Sequence, residues 1–194
     1  VKDLESRRIL VVGAGMAGAV LARGLAESGK LDIEVIDSRN HVAGNCYTAR
    51  DKETDVMVHV HGPHIFNTNH DDVWAYVQQF GEWVSHINRV KAVTTRGVFP
   101  FPINLQTLNQ FYGRTMTSAE ARECLVNARD QTITAPKNFE EQALSLVGRD
   151  LYETFLRDYT RKQWGVDPVK LPASLIRRLP VRFDENDSYY STRY

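Results

Sequence analysis

The sequence predicts an α/β fold: a βαβ unit first, then an inserted helical bundle, with part of an antiparallel sheet around it. Three observations carry this expectation. A glycine-rich turn, Gly13–Gly18, stands between a short apolar run and a helical pattern. Two strand-like runs flank an Arg96-Gly97 turn. From about Leu105 the apolar spacing becomes helical, with start and stop residues at the segment ends.

Taken in order, Arg8–Val12 (RILVV) reads as a short buried strand. Ala19–Glu27 reads as a helix stopped by Gly29, and Ile33–Ile36 as a second strand. Strand, glycine turn, helix and strand fit in about 30 residues, as a βαβ unit requires. After a turn at Asp51–Thr54, Val56–Val60 alternates like a strand. Asp71–Phe80 reads as a helix capped by Asn69 or His70. Val90–Thr95 and Val98–Phe101 are strands. Thr117-Ser-Ala-Glu120 is a capping box ahead of a helix over Ala119–Arg129. Asn138 caps Phe139–Val147, which ends at Gly148, and Asp150–Trp164 is a helix closed by Gly165 and then Pro168. Beyond Leu171 the chain turns basic and extended (LPASLIRRLPVRF) and finishes in the aromatic tail SYYSTRY. The expected organisation is a nucleotide-binding lobe over 1–85, sheet strands over 86–103, a helical bundle over 104–175 and the start of a sheet region over 176–194.

Bulk properties exclude several function classes. The 194 residues hold 24 Lys+Arg and 24 Asp+Glu, so no global field favours nucleic acid. No apolar run approaches the roughly 18 residues of a membrane span, and charged residues interrupt any secretory pattern at the N-terminus. Two cysteines, Cys46 and Cys124, lack metal or redox spacing and read as free thiols in a reducing cytoplasm. His59, His61 and His64 lie close in sequence, but no acidic or thiol partner completes a ligand set, so no metal is expected.

The glycine turn has a chemical reading. Gly13 permits the tight turn out of the strand, Gly15 removes a Cβ where a pyrophosphate approaches, and Gly18 lets helix and strand pack closely. The helix N-terminus, with Ala17 in its first turn, offers unpaired N–H groups and a positive dipole end to phosphates. Asp37 ends the second strand, 19 residues after Gly18. Its carboxylate is placed for ribose hydroxyls, which argues against a 2′-phosphate. The turn, the strand before it, the helix after it and the acid together are specific for a dinucleotide.

The run Asp37-Ser38-Arg39-Asn-His-Val-Ala43-Gly44-Asn45 resembles the second fingerprint of the FAD superfamily that includes amine oxidases and protoporphyrinogen oxidase. That fingerprint has an acid, an Arg two residues on, and a Gly-Gly pair. Ala43 stands at the first of those glycines. Three further segments resemble the bacterial UDP-galactopyranose mutase family: His61-Gly-Pro-His64-Ile65-Phe66-Asn-Thr68-Asn69; Tyr159-Thr-Arg-Lys-Gln163-Trp164-Gly165 with Leu171-Pro172; and Arg178-Leu-Pro180-Val-Arg182-Phe183. The resemblance runs along nearly the whole chain. One position departs: many members carry a second histidine where this chain has Asn67, which can donate to a flavin oxygen but does not titrate near neutral pH.

The resemblance implies a non-redox flavoenzyme that interconverts UDP-galactopyranose and UDP-galactofuranose. The reduced flavin bonds the anomeric carbon through N5 and expels UDP, the sugar ring opens and recloses through the other hydroxyl, and UDP returns as the bond to N5 breaks. The product serves galactofuranose-containing cell-wall or lipopolysaccharide glycans. Gly13, Gly15, Ala17, Gly18, Asp37, Ser38, Arg39, Gly44, Asn45, His64 and Ile65 are the implied FAD residues, with His64 also at the reaction centre. Asn88, Phe155, Tyr159, Trp164, Arg178 and Tyr189 are the implied substrate residues. Phe155 and Tyr159, four apart on a helix, sandwich the uracil. Trp164 lies against the nucleotide sugar. Arg178 clamps the leaving diphosphate, with a guanidinium that stays charged and binds two oxygens at once. Arg177 points elsewhere if the segment is extended. Tyr189 donates to a phosphate oxygen, with Tyr190 as its neighbouring alternative.

Family members continue well beyond Tyr194 and supply more of both sites. The chain is therefore expected to be an N-terminal portion, inactive alone, cytoplasmic, with a homodimer of the longer protein left open. Two other readings stay open on the sequence. One is a true FAD oxidoreductase of the amine-oxidase type. The other is a nucleotide-binding portion without catalysis.

Overall fold

The computed structural model describes residues 8–29, 31–178 and 181–194, with the side chains of Arg177 and Arg178 outside that description. The chain divides into two compact units, Val1–Phe66 and Asn67–Tyr194.

In the first unit, β1 (Arg8–Val12) and β2 (Asp32–Ile36) pair in parallel, in register from Arg8↔Asp32 to Val12↔Ile36. Helix α1 (Met16–Ala26) makes the crossover. It begins three residues before the expected Ala19, because Gly15 takes an extended N-cap conformation and its carbonyl accepts from Ala19 N at 2.9 Å. A 3₁₀ turn, Gly44–Cys46, leads into an antiparallel hairpin of β3 (Thr48–Arg50) and β4 (Met57–His59). The Asp51 carboxylate closes its turn by accepting from Glu53 N and Thr54 N at 3.1 and 2.9 Å. Strand β3 went unread in the sequence because three residues carry no periodicity. Parallel strands this rich in Val, Leu and Ile normally bury both faces. Here Val11 is buried while Leu10, Val12, Val35 and Ile36 are exposed.

The second unit holds the core. Helix α2 (Asp71–Val77) continues as a 3₁₀ turn through Phe80, and β5 (Val90–Thr94) pairs antiparallel with β6 (Gly97–Phe101). Helices α3 (Leu105–Tyr112), α4 (Ser118–Ala128) and α5 (Phe139–Val147) follow. Each starts on a side-chain cap: Asn104 accepts from Thr107 N, Thr117 from Glu120 N and Asn138 from Glu141 N. Phe99, Phe101, Leu108, Phe111, Phe139, Leu144, Leu151, Tyr152 and Phe155 meet in one buried cluster. The expected separation of strands (86–103) from bundle (104–175) is therefore not a division of the core.

The compact units meet at 66/67, inside the lobe expected over 1–85. Thr68 and Tyr194 exchange backbone hydrogen bonds of 2.9 and 3.1 Å, and Arg193 pairs with Asp71 at 2.8 Å. Tyr194 also stacks on Trp74, with ring centroids 5.1 Å apart and planes at 12°. These contacts fix α2 to the end of the chain within the second unit.

Two local departures bear on the site. The expected helix Asp150–Trp164 is interrupted: α6 (Arg149–Leu151) runs into a π-helical turn, Tyr152–Leu156, before α7 (Arg157–Trp164). The stretch expected to be extended after Pro172 coils instead into a 3₁₀ helix, Ala173–Arg178.

Candidate functional site

The glycine turn forms as its residue types require. Gly13 has φ +107°, and its N–H donates to the Ile36 carbonyl at 2.7 Å, tying turn to strand. A Cβ on Gly18 would lie 1.8 Å from the Gly13 carbonyl oxygen, so no other residue fits there. The N–H groups of residues 16–18 precede the first intrahelical bond, and no side chain caps the helix. That leaves donors at the N-terminus of an 11-residue helix.

Asp37 has a role the sequence did not indicate. Its two carboxylate oxygens accept from Ala14 N at 2.7 Å and from Arg39 N at 2.8 Å. These hydrogen bonds, the Arg39 one foremost, hold its carboxyl below the usual carboxylate range. Asp37 thus locks the turn, and each oxygen keeps a lone pair for a ribose hydroxyl. Asp37 and Ser38 line an open cleft with Val12, Gly13 and Ile36. The Arg39 guanidinium donates to Asn45 Oδ1 at 2.9 Å, which joins two of the expected cofactor residues.

Ala43 adopts φ +73°, a left-handed conformation that costs an alanine about 1–2 kcal/mol. Its N–H donates to the Ala14 carbonyl at 2.8 Å, and a Cβ on the adjacent Gly44 would sit 3.1 Å from the Gly15 Cα. The close backbone approach is therefore intact despite the alanine. Residues 43–44 form the second wall of the glycine turn. The sequence held a signal for this, the small-residue pair Ala43-Gly44.

His64 is half-buried, with its ring 5.7 Å from that of His59. Its Nε2 is buried and has no hydrogen-bond partner among the described residues. A buried imidazole nitrogen left unsatisfied costs free energy, and a cofactor ring offering a polar edge would satisfy it. This orphan, together with the glycine cradle, fits a bound dinucleotide. Ile65 is half-buried beside His64, and Ala17 is exposed on the first turn of α1. Among the described residues, no three His, Cys, Asp or Glu side chains converge as metal ligands.

The expected substrate residues lie in the second unit and behave differently from one another. Phe155 is 4% exposed and packs against Phe99 edge-on (5.1 Å, 88°) and against Phe111 (5.7 Å). It belongs to the buried core cluster in this structure, whereas its expected sandwich partner Tyr159 is exposed. The π turn just before α7 breaks the regular helical phase on which that pairing relied. Tyr159 is 41% exposed, with its ring 5.8 Å from Phe101, and Trp164 is 44% exposed on the last residue of α7.

Arg178 lies outside the described side chains, and so does Arg177. The alternation that was to separate them does not apply, because the segment is 3₁₀-helical. Asn88 and Tyr189, 101 residues apart, are brought together: Tyr189 N donates to the Asn88 carbonyl at 2.7 Å. Arg89 and Ser188 extend this as an antiparallel bridge. Tyr189 packs on the core cluster, and Tyr190 meets its ring edge-on at 5.1 Å. Asn67 opens the second unit and is exposed. No helix among the described residues is long and apolar enough to cross a membrane.

Comparisons with known proteins agree with this geometry. Residues 11–80 match the family model of an NAD(P)-binding Rossmann-like domain, and residues 154–194 match that of UDP-galactopyranose mutase. A probable UDP-galactopyranose mutase of Klebsiella pneumoniae is 49% identical over 191 residues, covering 98% of this chain and 50% of that protein. A dTDP-fucopyranose mutase of Escherichia coli is 44% identical, over 96% of this chain and 49% of that one. A crystal structure of reduced UDP-galactopyranose mutase superposes with a TM-score of 0.63 at 21% identity, over 91% of this chain and 37% of the other, and supports the fold. The chain spans about half the length of the curated relatives it matches.

Proposed function

We infer that this chain, a relative of the UDP-galactopyranose mutases along nearly its whole length, works as the N-terminal part of a mutase that interconverts UDP-galactopyranose and UDP-galactofuranose. One observation carries the reading. A chain with a Rossmann-like match at 11–80 also matches the mutase family at 154–194, the segment that includes the partly exposed aromatics Tyr159 and Trp164.

The cofactor is FAD in this reading. The unpaired N–H groups opening α1 receive the pyrophosphate, where the helix dipole also favours negative charge. Asp37 takes a ribose hydroxyl with the lone pairs left over from Ala14 and Arg39. His64 directs its orphan Nε2 to the flavin's polar edge. Reduced and bound, the flavin supplies the nucleophile for the anomeric carbon, which is chemistry the protein's side chains lack.

The protein's own task is to bind, orient and stabilise charge. Tyr159 and Trp164 offer aromatic faces to the base and sugar. Arg178 holds the diphosphate as its bond to the sugar breaks and negative charge grows on it. A guanidinium forks onto two oxygens and stays charged at any working pH. Tyr189, held beside Asn88, donates its hydroxyl to a phosphate oxygen. In this reading the UDP-galactofuranose product feeds galactofuranose-containing glycans, and the protein acts in the cytoplasm.

The near-equal identity to the E. coli protein favours a second substrate reading, a dTDP-6-deoxysugar. Saturation-transfer NMR on the full-length protein tests both. Transfer from Tyr159 and Trp164 to uracil protons of UDP supports the first reading. Transfer only to thymine of dTDP supports the second, and transfer to neither refutes the assignment of these rings.

A further inference from the structure

We propose that Arg182 is a positioning residue that sets Tyr189 against Asn88. The functional consequence rests on the reading above, but the geometry does not.

Arg182 opens a tight loop that runs to Ser188. Its backbone N–H donates to the Ile103 carbonyl at 2.9 Å, anchoring it beside the end of β6. From there the guanidinium crosses the loop mouth. Nη1 donates to the Asn186 carbonyl at 3.2 Å and, more closely, to the Ser188 carbonyl. The loop is internally braced: Asp184 Oδ1 accepts from Asn186 N, and Asn186 Oδ1 from Ser188 N, both at 3.0 Å. Its outer side is held by Leu105 N to the Asp184 carbonyl at 3.0 Å and Asn104 Nδ2 to the Asn186 carbonyl at 3.4 Å.

The loop's exit determines what happens next. Ser188 bridges Arg89, Asp187 pairs with Arg89 at 2.9 Å, and Tyr189 N reaches the Asn88 carbonyl at 2.7 Å. The two residues expected to contact substrate from opposite ends of the chain therefore meet through this loop, whose exit carbonyl Arg182 holds.

Both carbonyls accept from the single nitrogen Nη1, so a lysine ammonium, with three donors on one nitrogen, retains part of the contact. Arg182 Nη2 is buried and unpartnered among the described residues. The guanidinium's retained contacts are the two carbonyls that shape the loop.

Amide exchange on this chain decides the geometric claim. Arg182→Met is expected to lower protection of the Tyr189 amide at least tenfold while the β5–β6 ladder amides keep theirs. Arg182→Lys, the milder variant, is expected to fall between Met and wild type. Unchanged Tyr189 protection overturns the proposal, and so does an equal loss across β5–β6, which would make Arg182 a general stability residue. In the full-length protein, Arg182→Met is expected to weaken UDP binding about tenfold, equivalent to about 1.4 kcal/mol, with partial recovery in Arg182→Lys. Weakened exchange protection with unchanged UDP affinity overturns the functional half of the proposal. If wild type itself binds no UDP, the reading under the previous heading fails, and the exchange result still decides the role of Arg182.

Discussion

Replacing Gly18 with alanine is the sharpest perturbation of the nucleotide-binding turn. The added Cβ falls 1.8 Å from the Gly13 carbonyl oxygen, at least 1.2 Å inside the 3.0 Å below which such contacts essentially never occur. The obstacle is backbone, and that backbone is tied: Gly13 N bonds to Ile36 and Ala14 N to Asp37, each at 2.7 Å. Relief requires the turn to move and to weaken one or both bonds. Overpacking costs about 1–3 kcal/mol, and each lost hydrogen bond about 1 kcal/mol. Gly18→Ala should therefore cost about 3 kcal/mol or more, against a helix-propensity gain of about 1 kcal/mol. Gly24 lies in the same helix with nothing within 4 Å of its built Cβ, so Gly24→Ala keeps the gain without the clash. Amide exchange in the β1–β2 ladder reads the first unit directly. Gly24→Ala should slow exchange there or leave it unchanged, and Gly18→Ala should accelerate it by one to two orders of magnitude. Equal exchange in the two variants would refute the steric argument for this glycine.

Other outcomes follow from the same geometry. Asp37 has its pKa lowered in the folded chain by the Arg39 and Ala14 N–H groups, so its stabilisation of the turn is complete above about pH 4 and is lost as pH falls through the lower folded value. Amide exchange of Ala14 should show this acid dependence, and Asp37→Asn should abolish it along with much of the protection. Ala43→Gly relieves a left-handed alanine and should be neutral to stabilising by up to about 1 kcal/mol in denaturant titration, because lost chain entropy offsets part of the relief. Thr117→Ala removes the hydroxyl half of a capping box, which accepts from Glu120 N and donates to the Glu120 carboxylate at 2.8 Å, while the backbone N–H of residue 117 keeps its bond to that carboxylate; it should cost about 1 kcal/mol in urea unfolding. Tyr194→Ala removes the ring stacked on Trp74 and should shift tryptophan emission to the red with a loss of about 1 kcal/mol.

The elements that the sequence made legible are those with local causes. β1, the glycine turn, the capping box at Thr117, the N-cap at Asn138 and the stop at Gly148 each depend on residues within a few positions of one another. Gly18 was legible because its function is steric and nearby. What escaped depends on distance in sequence or on a change of helical phase. The π turn at Tyr152–Leu156 inserts a residue into a pattern that reads as a regular helix, so Phe155 looked like a partner of Tyr159 and is instead core. The 3₁₀ helix at Ala173–Arg178 lies between two X-Pro steps, whose bias toward extended backbone masked it. The pairing of Asn88 with Tyr189, and of Thr68 with Tyr194, joins residues more than 100 positions apart. No pattern in one sequence announces such pairs. Asp37 was placed correctly by spacing, but its hold on Ala14 and Arg39 is visible only once the turn is folded.

The central claim is that this chain belongs to a machine that rearranges a nucleotide sugar without net redox change. The most direct measurement is conversion of UDP-galactofuranose by the full-length protein with FAD held reduced, followed by chromatography of the nucleotide sugars together with the flavin absorbance. The account predicts accumulation of UDP-galactopyranose to a fixed equilibrium ratio while the reduced flavin spectrum persists and no electron acceptor is consumed. Absence of interconversion, or consumption of an acceptor in proportion to sugar converted, would contradict it.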